Sequence, residues 1–153
     1  IRIGIGHALF GEHWKSNPWT TQYLGEYGGS APRIVDWVSG ACLMVKRVSF
    51  EAIDGFDSGY FMFFEDVDLC FRLKKHQWRS LYVPHAVITH SGAHSTGPKM
   101  AEMVKVHHHS AERFLFKLYA GPQYWLLRQL LRAGLAMRSL IAPKRYGTPS
   151  ARD

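Results

Sequence analysis

Residues 61–73 read FMFFEDVDLCFRL, an aromatic run that passes directly into three carboxylates. The acids at its start and the bases that follow predict a helix over residues 65–76, because each group complements one end of the helix dipole. Desolvation and neighbouring like charges raise the pKa of a carboxylate, which favours general-base catalysis. A helix N-terminus has the opposite effect, because it stabilises the anion. These residues alone therefore leave open whether Asp66 is a base or a dipole partner. For Asp68 we favour an ion pair with Arg72 at i,i+4 spacing.

Outward from this helix, the chain alternates between strand-like and helix-like segments. The predicted elements, in chain order, are a buried strand over residues 34–45, a short helix over 47–53, strands over 81–83 and 86–88, and helices over 99–119 and 123–141. Gly40, in the middle of the first strand, indicates a bend or a close approach of another group to the backbone. Gly55 lies in the turn expected after the short helix. Residues 1–33 lack a sustained period and are predicted to form a loop.

The charge is unevenly distributed along the chain. Residues 1–98 hold nine Lys/Arg and nine Asp/Glu, while residues 99–153 hold ten and three, so the second part carries the whole net charge of +7. A basic tail on a neutral body implies a local anionic partner, for which phospholipid headgroups, diphosphates and nucleic acid are candidates. The two cysteines, Cys42 and Cys70, lie in apolar runs and are predicted to be buried free thiols, which suits a reducing cytoplasmic setting. No apolar run reaches the ~20 residues that a membrane span needs.

The predicted helix over residues 123–141 has a broad apolar surface and a basic side. The basic side carries Arg128, Arg132 and Arg138. A basic amphipathic helix with Trp and Tyr at one end suits a membrane interface, but a helix packed on its own domain with arginines facing water fits the pattern equally well. The three consecutive histidines at 107–109 point about 100° apart on a helix, so we interpret them as a solvated face rather than a metal site.

An ordered series of motifs runs through the body of the chain. It comprises VDWVSGA at residues 35–41, GFD at 55–57, the stretch 61–73, Trp78, YVP at 82–84 and HSG at 90–92. In this order the motifs resemble family-two glycosyltransferases of the GT-A fold. The resemblance implies an α/β fold, namely the C-terminal half of a GT-A (Rossmann-like) domain followed by a helical basic tail. It divides the chain into an acceptor-side, catalytic-base part over residues 1–98, a helical membrane-interface tail over 99–142 and a flexible basic end over 143–153.

The resemblance also implies a role for each matched residue. Asp66 would be the general base that takes the proton from the acceptor hydroxyl, and Glu65 would shape the acceptor pocket. The acceptor and sugar site would be lined by Trp37, Ser39 and Gly40. His90 would help to hold a divalent metal, Mg²⁺ or Mn²⁺, on the donor diphosphate. The family's donor-binding half, with an Asp-x-Asp metal motif, should precede this sequence and supply most of that metal site, so we expect the chain alone to bind nucleotide sugar poorly and to be inactive.

Three further motifs, GHALFG at 6–11, NPWT at 17–20 and HSTG at 94–97, resemble actinobacterial rhamnosyltransferases that build the cell-wall linker. That resemblance implies transfer of L-rhamnose from dTDP-rhamnose, with inversion, to N-acetylglucosamine diphosphate decaprenol. The chain would then be peripheral at the cytoplasmic face of the plasma membrane, where the tail arginines would attract the acceptor diphosphate and anionic headgroups. The alternative is a non-catalytic membrane- or nucleic-acid-binding module on a glycosyltransferase-derived fold. We do not expect nucleic acid as a partner, because the aromatics cluster in the neutral body while the positive charge lies in the tail.

Overall fold

A computed structural model describes residues 30–90 and 100–146, and of the earlier residues only Ser16, Pro18 and Thr21. In the second range, the side chains of residues 102–138 are described. Most of the predicted N-terminal loop and the motif positions 91–99 lie outside this part. The described elements, in chain order, are β1 (Arg33–Val35), α1 (Arg47–Glu51), α2 (Glu65–Lys75), β2 (Ser80–Tyr82), α3 (Met100–Leu118), a 3-10 turn (Pro122–Tyr124) and α4 (Trp125–Tyr146). This mixture of helices with a small sheet agrees with an α/β fold.

The described sheet is a two-stranded antiparallel ribbon. β1 pairs with β2 so that Ile34 stands directly opposite Leu81. The prediction of one long strand over residues 34–45 is wrong, because β1 stops after three residues and the chain turns at residues 40–42. The turn directs the Gly40 N–H to a side chain of α2 instead of to a strand ladder.

The second and third predicted strands also differ from the structure. β2 begins at Ser80, one residue before the predicted start. The prediction of a strand over residues 86–88 is wrong, because the Ala86 N–H donates to the Val83 C=O at 3.1 Å and closes a turn there. Pro84 lies inside this turn, where its fixed φ favours a change of chain direction.

The centre of the core is formed by α2. Leu69 and Leu73, one helical turn apart, are buried together with Ile53. The i,i+4 spacing places both leucines on one face of the helix, and burying each contributes about 1.5–3 kcal/mol. Four partly buried residues pack against this cluster, namely Leu43, Val45, Phe50 and Trp78. The predicted helix over residues 65–76 is confirmed, with its end one residue earlier.

The short helix α1 ends two residues before its predicted end, in a left-handed turn. Asp54 and Gly55 have φ values of 58° and 67°, and the Gly55 N–H donates to the Phe50 C=O at 2.9 Å. A Cβ at Gly55 would lie 2.9 Å from the Phe50 ring, so both the conformation and the space favour glycine. The turn expected here is confirmed.

The helices α3 and α4 form a hairpin. α3 ends at Leu118, one residue before its predicted end, and the predicted first residue, Lys99, lies outside the described residues. The prediction that the second helix ends at Ile141 is wrong, because α4 continues through Pro143 to Tyr146. An interior proline removes one hydrogen bond and crowds the carbonyl four residues earlier, at a cost of about 3 kcal/mol, but its fixed φ is one that a helix accepts, so the helix can continue past it. Among the residues that the structure describes, no helix combines the length and apolarity needed to cross a bilayer.

The two cysteines occupy different environments. Both are free thiols, and Cys70 is buried in α2 as predicted. The prediction is wrong for Cys42, which is exposed. Its apolar sequence neighbours do not bury it because it belongs to the surface turn at residues 40–42.

Candidate functional site

The entrance of α2 is formed by two phenylalanines in left-handed conformations. Phe63 and Phe64 have φ values of 66° and 63°, and Phe64 is the N-cap residue. A left-handed conformation costs a non-glycine residue about 1–2 kcal/mol, so the pair is held there by its surroundings. The reversal it produces turns the chain directly into the helix that carries Glu65 and Asp66 at its start.

The carboxylate of Asp66 is fixed by two backbone groups. Its Oδ2 accepts the Gly40 N–H at 2.8 Å, and its Oδ1 accepts the Val67 N–H at 2.8 Å. The 2.8 Å bond to the Gly40 N–H confirms the close approach to the backbone expected at this glycine, where a Cβ would lie at ordinary contact distance, 3.5 Å from the Asp66 Cβ. Each carboxylate oxygen has a second lone pair, and the side chain is half-buried rather than enclosed. The carboxylate is therefore oriented and still able to accept a hydrogen bond from a hydroxyl.

A second carboxylate, that of Glu65, stands beside the same turn. Its Oε1 lies 3.8 Å from the position that a Cβ on Gly40 would occupy. Its Oε2 is buried and has no hydrogen-bond partner among the described residues. A buried carboxylate oxygen without a partner is unfavourable and calls for an explanation. A ligand that donates a hydrogen bond here would satisfy it.

The remaining residues assigned by the resemblance are less closely grouped. The Ser39 Oγ accepts the Ala41 N–H at 3.3 Å, which stabilises the turn that presents Gly40. Trp37 is half-buried, and His90 is exposed. Nowhere in the described ranges do three or more His, Cys, Asp or Glu side chains come close enough to hold a metal ion. The structure thus brings together Glu65, Asp66 and Gly40.

The buried carboxylate of Asp68 faces the opposite side of α2 and is fully paired. It accepts the Arg72 Nε at 2.7 Å, the Lys117 Nζ at 2.6 Å and, more weakly, the Tyr60 hydroxyl at 3.4 Å. The predicted i,i+4 ion pair is confirmed. Lys117 could not be found from sequence spacing, because it comes from α3, 49 positions away.

A second acidic side chain, Asp57, joins the same network. The Arg113 guanidinium donates to both of its oxygens at 2.8–3.1 Å, and Lys117 and the Gly59 N–H also donate to it. Burial acts to raise the pKa of Asp57, but these donors together hold it well below its usual value. Burial and the nearby carboxylates raise the pKa of Tyr60. The network, which comprises Asp57, Tyr60, Asp68, Arg72, Arg113 and Lys117, ties α3 to the body.

One face of α3 also covers the aromatic run before α2. The His107 ring centroid lies 5.3 Å from those of Phe63 and Phe64, and the Phe114 ring lies 5.8 Å from Phe64. Although more than a third of His107 is exposed, desolvation by these rings lowers its pKa. The predicted solvated face is thus confirmed for His107 and His109, which are exposed, although the His107 ring also contacts the body.

The helix α4 packs on α3 through part of its basic side. Arg128 donates to the Ala120 C=O at 3.2 Å, and Arg132 pairs with Glu112 at 3.0 Å. Arg138 is exposed. An apolar stripe remains in solvent on α4, where the exposed fractions of Leu126, Leu130 and Met137 are 62%, 63% and 63%. The alternative of a helix packed on its own domain with arginines facing water is thus confirmed in part, since α4 packs on α3 while Arg132 and Arg138 are exposed, but the apolar stripe on α4 is exposed as well.

An open cleft of about 280 Å³ lies elsewhere, between the ribbon and the C-terminal end of α2. Its lining residues are Arg33, Ile34, Val35, Asp36, Lys74, Trp78, Arg79 and Ser80. The hydrogen bond from Lys74 lowers the pKa of Asp36. Asp66 and Glu65 do not line this cleft. Both lie at the other end of α2, beside the turn at Gly40.

Comparisons with known proteins give a consistent group of relatives. A family model described as glycosyltransferase like family 2 matches residues 25–109. The N-acetylglucosaminyl-diphospho-decaprenol L-rhamnosyltransferase of Mycobacterium tuberculosis (strain H37Rv) is 47% identical over 139 residues, which are 91% of this chain and 45% of that protein. Rhamnosyltransferase WbbL of Escherichia coli (strain K12) is 37% identical over 82 residues, which are 54% of this chain and 31% of that protein. The chain therefore spans less than half the length of these curated relatives. No solved structure gives a significant match.

Proposed function

We propose that this chain, which belongs to glycosyltransferase-like family 2, provides the acceptor side and the catalytic base of an inverting sugar transferase. The observation that carries the proposal is the Asp66 carboxylate, held by the Gly40 N–H at the entrance of α2 with lone pairs free. Glu65 stands beside it with a buried oxygen for which the described residues provide no hydrogen-bond donor. Trp37 and Ser39, on the chain segment leading to Gly40, complete the proposed acceptor site.

In the proposed reaction, Asp66 takes the proton of an acceptor hydroxyl while that oxygen attacks the anomeric carbon of the donor sugar. A sugar hydroxyl is a very weak acid, so a positioned base is needed as the bond forms. The bond from the anomeric carbon to the nucleoside diphosphate breaks, and the diphosphate leaves with the electron pair. A single displacement inverts the anomeric carbon and requires no covalent enzyme intermediate.

The names of the relatives suggest the substrates. One relative is an L-rhamnosyltransferase that acts on N-acetylglucosaminyl-diphospho-decaprenol. We therefore propose that L-rhamnose, carried on dTDP, is transferred to a polyprenyl-diphosphate-linked N-acetylglucosamine in cell-wall or polysaccharide synthesis.

A divalent metal is common in this family, where it neutralises the diphosphate as it leaves. The described residues do not form a metal site, because they contain no suitable group of three or more ligands. His90 is proposed as a single ligand to Mg²⁺ or Mn²⁺, and the other ligands would come from outside the described residues. No step above depends on the ion.

The proposed base is tested by Asp66→Asn in the complete protein that contains this chain. We expect the turnover number for rhamnose transfer to fall by about 10²–10⁴, the usual contribution of a general base, with the dissociation constant for dTDP-rhamnose unchanged. Glu51→Gln, which removes an exposed carboxylate at the end of α1, is the matched control and should leave turnover unchanged. Near-normal turnover in Asp66→Asn would remove the mechanism and favour a non-catalytic binding module.

The lipid-linked acceptor requires a membrane surface, and we propose that α4 contacts it on the cytoplasmic side. The exposed stripe of Leu126, Leu130 and Met137 would enter the interface, beside Trp125, which is 60% exposed. The exposed Arg138 would meet anionic headgroups or the acceptor diphosphate. Arg128, which donates to the Ala120 C=O just after α3, and Arg132, which pairs with Glu112 of α3, would add to the positive potential.

Co-sedimentation with vesicles tests this contact. Leu130→Glu should weaken binding to anionic vesicles by about tenfold or more, because burying a leucine is worth about 1.5–3 kcal/mol. Gln129→Glu introduces the same charge at the adjacent exposed position on α4 and should have a much smaller effect. Equal losses in the two variants would show that the apolar stripe does not enter the membrane.

A further inference from the structure

The helix α3 makes a direct hydrogen bond to the chain just before the candidate base. Ser110, which is 2% exposed, donates from its Oγ to the Met62 C=O at 2.7 Å. Met62 immediately precedes the two left-handed residues Phe63 and Phe64. The hydrogen bond therefore fixes the orientation of the backbone at the point where the reversal begins.

Two ring contacts on the same face of α3 hold the reversal itself. His107, Ser110 and Phe114 are spaced i, i+3 and i+7, so their side chains lie along one side of the helix. The His107 ring touches both phenylalanines of the reversal, and Phe114, which is 3% exposed, touches the second.

The position of α3 on the body is fixed by charge. Arg113 and Lys117 lie further along the same helix and bind Asp57 and Asp68 of the body. These ion pairs are partly shielded from water, since Asp68 is fully buried and Asp57 is 18% exposed. They hold α3 in register with the aromatic run.

From these contacts we propose that Ser110 is a positioning residue for the catalytic carboxylate, and that α3 belongs to the catalytic unit rather than to a membrane tail. This inference rests on the function proposed above. Ser110 keeps Phe63 and Phe64 in the left-handed conformation that directs the Asp66 Oδ2 to the Gly40 N–H. Without it, the reversal relaxes and the carboxylate leaves the orientation in which it meets the acceptor hydroxyl.

The Gly40 amide is a reporter of that orientation that requires no catalysis. Its N–H is exposed to solvent except for its bond to Asp66, so its hydrogen exchange in the 153-residue chain measures how often the carboxylate is in place. Asp66→Ala sets the rate for a free amide. We expect Ser110→Ala to move Gly40 exchange towards that rate.

A buried serine elsewhere provides the matched control. Ser49, which is 4% exposed, donates from its Oγ to the Lys46 C=O at 2.8 Å. Ser49→Ala removes a comparable hydrogen bond. It should leave the rate of Gly40 exchange unchanged, even where it lowers the free energy of unfolding as much as Ser110→Ala does. Gly40 exchange that is unaltered in Ser110→Ala, or altered equally in both variants, would overturn the positioning role.

Kinetics of the complete protein give the second readout. We expect Ser110→Ala to lower the turnover number by about 10- to 100-fold, as misplacement of a reacting group does, with little change in KM for the acceptor. Ser110→Thr, which keeps the hydroxyl, should restore most of the turnover. A rise in KM for the acceptor with an unchanged turnover number would contradict the proposal.

Two further outcomes separate the hypotheses. If Ser110→Ala does not fold, His107→Ala removes the ring contacts with Phe63 and Phe64 without leaving a core cavity. The rate of Gly40 hydrogen exchange must still rise in this variant. If Asp66→Asn keeps its turnover, the proposed function fails while the exchange experiment still decides whether Ser110 positions Asp66.

Discussion

Replacing Lys117 by methionine should reveal how strongly α3 is held to the body. The Lys117 ammonium bridges Asp57 and the fully buried Asp68. Methionine retains much of the apolar side chain and removes the charge, so both carboxylates lose a shared cation while Arg72 and Arg113 still bind one each.

The expected loss follows from burial. Breaking a fully buried ion pair by removing one partner costs roughly 3–5 kcal/mol. Lys117 is 31% exposed and each carboxylate keeps an arginine, so we expect about 2 kcal/mol. With a urea m-value of about 2 kcal/mol/M, typical of small proteins, the midpoint of unfolding should fall by about 1 M.

Urea unfolding followed by tryptophan fluorescence measures this change. Lys74→Met is the matched control, because Lys74 and its partner Asp36 are 69% and 46% exposed and such a pair contributes about 0.5 kcal/mol or less. If the two variants lose the same stability, the network does not anchor α3, and the ion pairs do not hold this helix in the catalytic unit.

Two other predictions concern the same body. The pKa of Asp57 lies below its ordinary value of 3.8, so its contribution to stability is present above about pH 4 and is lost as the pH falls towards the folded-state pKa. In urea unfolding, the stability of Asp57→Asn should therefore decrease less than that of the parent chain as the pH falls below about 4. An equal decrease in the two chains would contradict the lowered pKa. Ellman's reagent should modify Cys42 quickly and Cys70 only on unfolding, whereas two fast thiols would place Cys70 at the surface.

The sequence predicted the helices more accurately than the strands. α2 was recognisable because its charges, its leucine spacing and its i,i+4 ion pair all act within the segment itself. The strand over residues 34–45 failed because its conformation is decided by a distant partner, the carboxylate of Asp66 that binds Gly40. A glycine in an apolar run indicates a close approach, but it does not say which group approaches.

The support given by α3 was also invisible in the sequence. Ser110 and Lys117 reach residues 48 and 49 positions away, and no local period marks such contacts. The run of basic residues after position 98 indicated an anionic partner, and part of that charge instead meets Asp57 and Asp68 inside the molecule. Charge counted along a chain does not distinguish internal ion pairs from a binding surface.

The contrast between Asp66 and Asp68 shows why a motif needs its three-dimensional setting. Two positions on a helix are separated by about 200°, so the two carboxylates point to opposite sides of α2. Leu69 and Leu73 decide which side faces the core, and this places Asp68 among cations at full burial. Asp66 lies at the edge, where the hydrogen bonds that it accepts from the described residues come from backbone N–H groups. The oxygens of Asp68 are occupied by cations inside the molecule, whereas the half-buried Asp66 carboxylate is oriented by amides at the edge, where an acceptor hydroxyl can reach it. The helix phase therefore fits the proposal that Asp66, rather than Asp68, meets the acceptor hydroxyl.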